Sequence, residues 1–439
     1  MLNKADVIDT AKYLVAVRDG EREELDRIHA YWRGKQKLPI VPNGVPREVR
    51  ELLAMSRVNL VKVAINVLGQ GLAVSGYRSS DSVNDDPAWD IWQANKLDAR
   101  QSGIYRSALA YGVSYVTVLP GDPHCVITGV SPRRMTALYG ADPDWPEYAL
   151  QTMHNGRFRL FDAEMVWELT HEKAADGSMS LVADDGAPHG MGVTPVVRYR
   201  NQEDLDDEDG TVLGEVHDLM PLQDQMDATT FGLLVAQHFQ AFRQRYILGW
   251  TADDEASTAK AAASRLWTFE DPDVKVGEFG QLDMTGYLSS RESTGHLLAT
   301  IGQIPVHELT GKLINLSAEA LAAAEAGKDR KTAERETTFG ESAEQTLELA
   351  ARREGLESDP AAQVVWRDSS ARSFAATVDA LGKIAQMLNV PQEMLWERIP
   401  GFTQQDVARA KAIQAEGGGV NALLAELANG QVSPVPVPV

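Results

Sequence analysis

The chain has 439 residues, 44% of them hydrophobic, and sets 63 acidic against 42 basic side chains for a net charge of −21. That length supplies two to four domains or one elongated body, and the acidic balance excludes tight wrapping of nucleic acid, whose affinity comes from Lys and Arg neutralising phosphates. No run of 18 uncharged apolar residues occurs, so no membrane span is expected, and the lone Cys125 allows no internal disulfide and points to a reducing compartment.

Residues 1–56 read as helical. The opening "MLNKADVIDTAKYLVAVRDGEREELDR" is amphipathic, and charges interrupt every apolar run, unlike a signal peptide. "KLPIVPNGVP" then breaks the helix with three prolines in eight residues. "SRVNLVKVAINVLGQGLAVSGYRS" places Val58, Val61, Ile65 and Leu68 at helical spacing and stops at Gly69 and Gly71 before a short strand. "DPAWDIWQANKLDARQSGIYRSALAYG" predicts one helical segment opened by Asp86-Pro87 and closed by Gly112. Its Trp89 and Trp92, three apart on an amphipathic helix, read as core packing rather than as a platform for stacking bases. From 131 to 200 the pattern turns to short strands, with Asn155-Gly156 and Asp176-Gly177 as hairpin turns. Helices followed by antiparallel strands give an α+β class.

After the acidic run "EDLDDEDG" comes "DLMPLQDQMDATTFGLLVAQHFQAFRQR", a helix of about 28 residues. Asp218 is its expected cap, Pro221 sits in the first turn, and Asp224 and Asp227 near the start complement Arg243 and Arg245 at the end. Its apolar residues form two stripes, Leu222, Met226 and Leu233 on one and Phe231, Val235 and Phe242 on the other. A helix apolar on two faces is buried between neighbours, which here can be copies of itself. A β-containing piece ("RYILGW", "RLWTFEDPDVKVGEFG") and a helix "DMTGYLSSRESTGHLLATIG" follow. Next, "HELTGKLINLSAEALAAAEAGKDRK" runs from a polar loop holding His307, Thr310, Gly311, Lys312 and Asn315 into an Ala-rich helix capped by Ser317. Short amphipathic helices, a "GGG" and an extended "PVPVPV" tail close the chain. "IGQIPVHEL" and "LNVPQEML" share a helix–Pro–helix grammar.

No catalytic constellation emerges, so no enzyme, metal or cofactor is expected. His307-Glu308 begins a zinc-protease pattern, but position 311, where the second His must stand, is Gly. Asp204, Asp206, Glu208 and Glu215 hold positions 1, 3, 5 and 12 of a calcium loop, yet Asp209 replaces the required Gly and Gly210 comes one place late. The stretch reads as a solvated acidic linker. There is no phosphate loop, "GQGLAVSG" follows a helix rather than a strand, and "STAK" lacks the companion motifs of its class.

The order of "NLVKVAINVLGQGLAVSGY", "IWQANKLDARQSGIYRSALAYGVSYVTV", "TPVVRYRNQ", "LMPLQDQMDATTFGLLVAQHFQAFRQRYILGW" and "IPVHELTG…NLSAEAL" resembles the portal (head-to-tail connector) proteins of long-tailed bacteriophages, above all those of actinobacteriophages. The likeness extends over roughly 5–415. It implies a portal fold: a mixed wing (1–218), stem helices (219–245 and 284–302) and a small β-containing clip between them (246–283). A tunnel loop (303–316) leads into a long helix (317–356), a wing return (357–400), and a helical crown with an extended tail (401–439). It also implies a ring, usually of twelve copies, at one capsid vertex of the virion, assembled in the host bacterial cytoplasm. The implied partners are double-stranded DNA held weakly, the terminase large subunit, head-completion and adaptor proteins, and the major capsid protein and scaffold. In that frame the tunnel-loop residues face the channel and the two apolar stripes pack the stem. A largely acidic wall with sparse cations such as Lys312 would let the duplex slide, since each neutralised phosphate adds a salt-dependent brake. A non-viral oligomeric scaffold without a channel is the alternative reading, and a hydrolase with an unrecognised site would need convergent titratable groups.

Overall fold

The structure is a computed structural model that describes residues 2–40, 44, 47–79, 86–173, 179–202, 214–241, 245–248, 275–278, 283–311, 318–357, 359–367, 374–388, 390–396, 398–399, 402 and 404–415. The first part runs α1 (Lys4–Trp32), α2 (Arg47–Met55), α3 (Leu60–Gly71), β1 (Val74–Arg78), α4 (Ala88–Ala94) and α5 (Leu97–Tyr111). Strands β2 (Val113–Leu119), β3 (Val126–Val130), β4 (Met135–Tyr139), β5 (Pro146–Thr152), β6 (Phe158–Phe161), β7 (Met165–Lys173), β8 (Met179–Ala183), β9 (Ala187–Pro188) and β10 (Val196–Arg200) follow. The remainder is α6 (Glu215–Ala241), β11 (Arg245–Leu248), β12 (Lys275–Glu278), α7 (Thr285–Gly302), α8 (Val306–Thr310), α9 (Ala318–Glu354), β13 (Gln363–Trp366), α10 (Phe374–Leu388), α11 (Gln392–Trp396) and α12 (Gln404–Ala415).

Asn3 starts α1 with a capping box: its side chain accepts from the backbone N–H groups of Ala5 and Asp6 at 2.9 and 3.0 Å, and Asp6 answers its own N–H. α1 lays Val7, Ala11 and Leu14 against Leu150, Phe158, Leu160 and Trp167 of the antiparallel sheet β4-β5-β6-β7-β8. Side chains alternate across a strand, so Ala149 and Phe161 point to the other face and meet Tyr115, Val130 and Val196 of the sheet β10-β2-β3. The β5–β6 hairpin turns through His154–Gly156, with Gly156 at φ +71°, as the Asn-Gly pair predicts. Asp176-Gly177 lies outside the described residues, while the flanking β7 and β8 pair in register, Lys173 opposite Met179.

The largest core joins α3, α4 and α5 to the C-terminal half of α9, whose Phe339, Ala343, Leu347 and Ala350 are fully buried. Tyr105 stacks on Phe339 at 5.3 Å, and Trp89 stacks on Trp92 at 5.4 Å inside the same core. β13 closes it by pairing antiparallel with β1, Tyr77 opposite Val364, which joins the C-terminal return to the first hundred residues. The segment Arg47–Gly71 has the length and apolar content to cross a membrane. It is split at residues 56–59 into helices of 9 and 12 residues, and the second buries Val61, Ala64, Ile65 and Leu68 in this core.

Two boundaries differ from expectation. Residues 86–112 form two helices, because Asn95 is pinned to β3: its amide donates to the carbonyls of Ile91 and Cys125, and its Oδ1 accepts from Ile127 N–H at 2.8 Å. Lys96 takes a left-handed φ of +55° to make the bend. α6 begins at Glu215, so Asp218 lies in its first turn rather than at the cap, and Arg245 opens β11 rather than ending the helix. Just before α6, a β-carbon on Gly214 would stand 2.2 Å from the Ala110 carbonyl oxygen, so only glycine lets the chain pass the end of α5.

Candidate functional site

α6 and α7 form an antiparallel pair. Leu219 lies by Gly302, Met226 reaches Gly295, and a β-carbon on Gly232 would stand 2.8 Å from the Tyr287 ring, so small residues bring the two backbones close. Met226 and Leu233 are buried and Leu222 is half-buried. Leu222 and Met226 pack within one chain, in the same core as Leu298. Phe231 and Val235 on the second stripe are only half-buried, and Phe242 lies outside the described residues. Phe239, Leu288, Leu297 and Ile301 remain exposed, each between 43% and 52%. The pair therefore presents apolar faces that the described residues of its own chain leave exposed.

The end of this hairpin nearest the sheets is held by polar clamps. Glu215 accepts from Asn201 at 3.0 Å, from Arg335 at 3.2 Å and from Lys331, whose ammonium also reaches the Gly302 carbonyl. Burial opposes the charge on Glu215, but Lys331, Asn201 and Arg335 outweigh it and hold its carboxyl below the ordinary range. One carboxylate thus ties the start of α6, the end of α7, the end of β10 and α9. The second clamp is Asp227, whose side chain accepts from Val58 N–H at 3.0 Å, Gln36 at 2.7 Å and Gln223 at 2.9 Å. Here burial dominates and raises the carboxyl pKa despite those donors. Tyr31 adds a hydrogen bond to Asp224 at 2.7 Å.

The stretch 303–316, expected as a loop, contains a helix. Pro305 fixes the backbone at the N-cap of α8, and Gly311 ends it at φ +67°. Thr310 is therefore helical, its hydroxyl bonded to Val306 O at 3.0 Å and its methyl over Gly295. Gly311 is exposed, and Lys312 and Asn315 lie outside the described residues. His307 turns toward α9, with Nε2 3.8 Å from Glu325 Oε1, while Lys328 holds the other oxygen at 3.2 Å. A cavity of about 430 Å³ opens beside α8, lined by Thr300, Gln303, Ile304, Val306 and Lys331 among others. The helix–Pro–helix grammar is realised twice, in α8 and in α11 after Pro391.

Sequence reasoning did not find Glu215, Lys331, Arg335, Asp227 or Glu325 as structural anchors. The available signal was periodicity: Lys331, Arg335 and Phe339 recur every four residues along α9, which places two cations on its buried face.

The phage portal protein model of the SPP1 Gp6-like kind matches residues 11–419. The portal protein of Mycobacterium phage L5 is 25% identical over 400 residues, covering 84% of this chain and 80% of its own length. That of Mycobacterium phage D29 is 26% identical, covering 84% and 81%. Among solved structures, a chain of the virion of the native gene transfer agent particle is similar with a TM-score of 0.50 and 12% identity, over 80% of this chain and 96% of that one. A chain of the neck of that particle, computed with C12 symmetry, matches with a TM-score of 0.50 and 11% identity, over 80% and 91%. These two likenesses concern the fold. The family match spans almost the whole sequence, and the chain belongs to the SPP1 Gp6-like family of phage portal proteins.

Proposed function

We propose that copies of this chain close into a ring, of twelve subunits, with their α6–α7 hairpins side by side around a channel at one capsid vertex of the virion. The observation that carries this reading is the uncovered apolar surface on the hairpin, Phe239, Leu288, Leu297 and Ile301. A head-to-tail contact between identical subunits buries such surface on both sides of every copy, and closure of the rotation makes a ring. The resemblance of the fold to a chain from a neck computed with C12 symmetry favours twelve.

In this reading double-stranded DNA passes the channel during packaging, is retained there, and leaves through it on ejection. The segment 303–316 lies at the wall, with Thr310, Gly311, Lys312 and Asn315 nearest the duplex. The region 246–283 docks the terminase large subunit and later the head-completion and adaptor proteins. The sheets and helices of the first two hundred residues meet the major capsid protein and scaffold. The net charge of −21 supports a conduit that holds DNA weakly, since few cations are present to condense on phosphates.

Electron microscopy of the purified full-length chain tests the reading. Rings with a central hole wide enough for a duplex are expected. Solid particles, or a dimer under all assembly conditions, would overturn it.

A further inference from the structure

We propose that His307, Glu308 and Glu325 form a binding site for one small divalent cation of the zinc or manganese kind, joining α8 to α9. Among the described residues this is the one place where three such side chains converge, each offering a donor atom within 4.8 Å of the others. The residues come from two elements. His307 and Glu308 are adjacent on α8, and Glu325 projects from α9 across the chain reversal.

The distances suit a shared cation better than direct pairing. His307 Nε2 and Glu325 Oε1 are 3.8 Å apart, beyond hydrogen-bond range. A cation about 2.1 Å from each atom spans that gap at an angle of roughly 130°. Tetrahedral ligands of one such ion stand about 3.4 Å apart, so the carboxylate of Glu308, whose donor atom lies within 4.8 Å of the other two, closes on them by a side-chain rotation of up to about 1.4 Å. Glu308 is exposed and free to make that adjustment, whereas Glu325 is 7% exposed and fixed. Lys328 binds Oε2 of Glu325 at 3.2 Å, and Oε1 is the oxygen nearer the imidazole.

The donor set decides the class of ion. One imidazole nitrogen with two carboxylates favours Zn²⁺, Co²⁺ or Mn²⁺, whereas Ca²⁺ and Mg²⁺ prefer oxygen alone and Cu⁺ prefers sulfur. The more exposed contact between His124 and Glu354 is of a different kind. His124 Nδ1 meets Glu354 Oε2 at 3.0 Å, a hydrogen bond, and Glu354 Oε1 is already taken by the Cys125 N–H. The sequence pattern conceals the site, because the third ligand is not the residue at 311 but a glutamate on the next long helix.

This site rests on the geometry of one chain and holds whether or not the ring and channel reading does. The test is Co²⁺ titration of the purified, chelator-treated full-length chain, followed by visible d–d absorption, then competition with Zn²⁺, Mn²⁺ and Ca²⁺. One Co²⁺ per chain is expected, displaced by Zn²⁺ but not by a tenfold excess of Ca²⁺, with affinity lowered tenfold or more in Glu308→Gln and in His307→Gln. Glu308 is exposed, so Glu308→Gln keeps the fold, which far-ultraviolet circular dichroism checks, and carries the test if the other variant does not fold. No Co²⁺ uptake by the unsubstituted chain, equal uptake by Glu308→Gln, or displacement by Ca²⁺ as readily as by Zn²⁺ would overturn the assignment.

Discussion

Leu297→Asp separates assembly from folding. Leu297 and Ile301 lie four residues apart on the uncovered side of α7, 46% and 48% exposed. Full burial of a leucine contributes about 1.5–3 kcal/mol, so covering the remaining half of each in a seam between subunits contributes about 1 kcal/mol apiece. An aspartate at 297 removes that share and leaves a carboxylate against apolar surface without a partner, for a combined loss of roughly 3 kcal/mol at each seam. That lowers the association constant of every contact by roughly 100-fold, and a ring repeats the loss at each interface. The isolated chain should hardly notice, because an exposed substitution stays within about 0.5 kcal/mol. Mass photometry across a concentration series reads the assembly, and thermal unfolding of the dissociated chain reads the fold. Rings at the wild-type concentration would refute the argument, since the seam then would not include this face. Leu233→Asp serves as the contrast: Leu233 is buried against its own chain, so that variant should lose the α6–α7 pair itself, seen as lowered helix content.

Other perturbations reach other parts of the molecule. Lys331→Met removes one of the three partners of the buried Glu215 carboxylate, leaving Arg335 and Asn201, and should cost about 1–3 kcal/mol in urea unfolding. Because the Glu215 pKa is lowered in the fold, its contribution is whole above the ordinary glutamate value of about 4.3 and is lost as pH falls through the folded value, so Lys331→Met should flatten the acid limb of the stability curve. Lys312→Glu should leave assembly unchanged and alter genome length or particle yield relative to a Lys173→Glu control; identical packaging by both would remove 303–316 from the channel wall. Deletion of 251–264 should spare the ring and abolish binding of the packaging motor, and a pull-down with the terminase large subunit checks this.

Local signals were legible where local chemistry decides. The Asn155-Gly156 turn, the first helix and α7 follow from turn residues and spacing within a few positions, whereas the Asn3 capping box was not read. α8 departed from expectation, a helix of five residues inside a stretch read as a polar loop, with Pro305 and Gly311 setting its ends. The break at Asn95 was not legible, because its cause is a hydrogen bond to Ile127 on a strand thirty residues away. The long helix was legible as an element but not in its partners. Its Ala-rich start is the most conspicuous local signal, while Phe339, Ala343, Leu347 and Ala350 further along are the residues buried inside the chain's own core. Of the candidate site, the two apolar stripes of α6 were readable as periodicity, but which stripe stays exposed depends on where α7 docks. Glu325 could not be paired with His307 from sequence, since nothing local links the two helices. Family membership sets aside the non-viral scaffold alternative.

The pairing of β1 with β13 and the burial of Phe339 against Tyr105 carry a consequence for biosynthesis. The first half of the principal core leaves the ribosome early, but its complement emerges only after the whole α6-to-α8 excursion has been made. About 230 residues separate Leu109 from Phe339, which at typical elongation rates of about 5–20 residues per second is a delay of roughly 10–50 s. During that interval α3, α4 and α5 wait with their apolar faces open, and the uncovered hairpin arrives before the base that should carry it is sealed. A nascent subunit is thus most adhesive before it is correctly shaped. Slowed translation across 250–330 should raise the share of chains lost to aggregation, whereas supplying residues 318–367 in trans should rescue them by closing the core early.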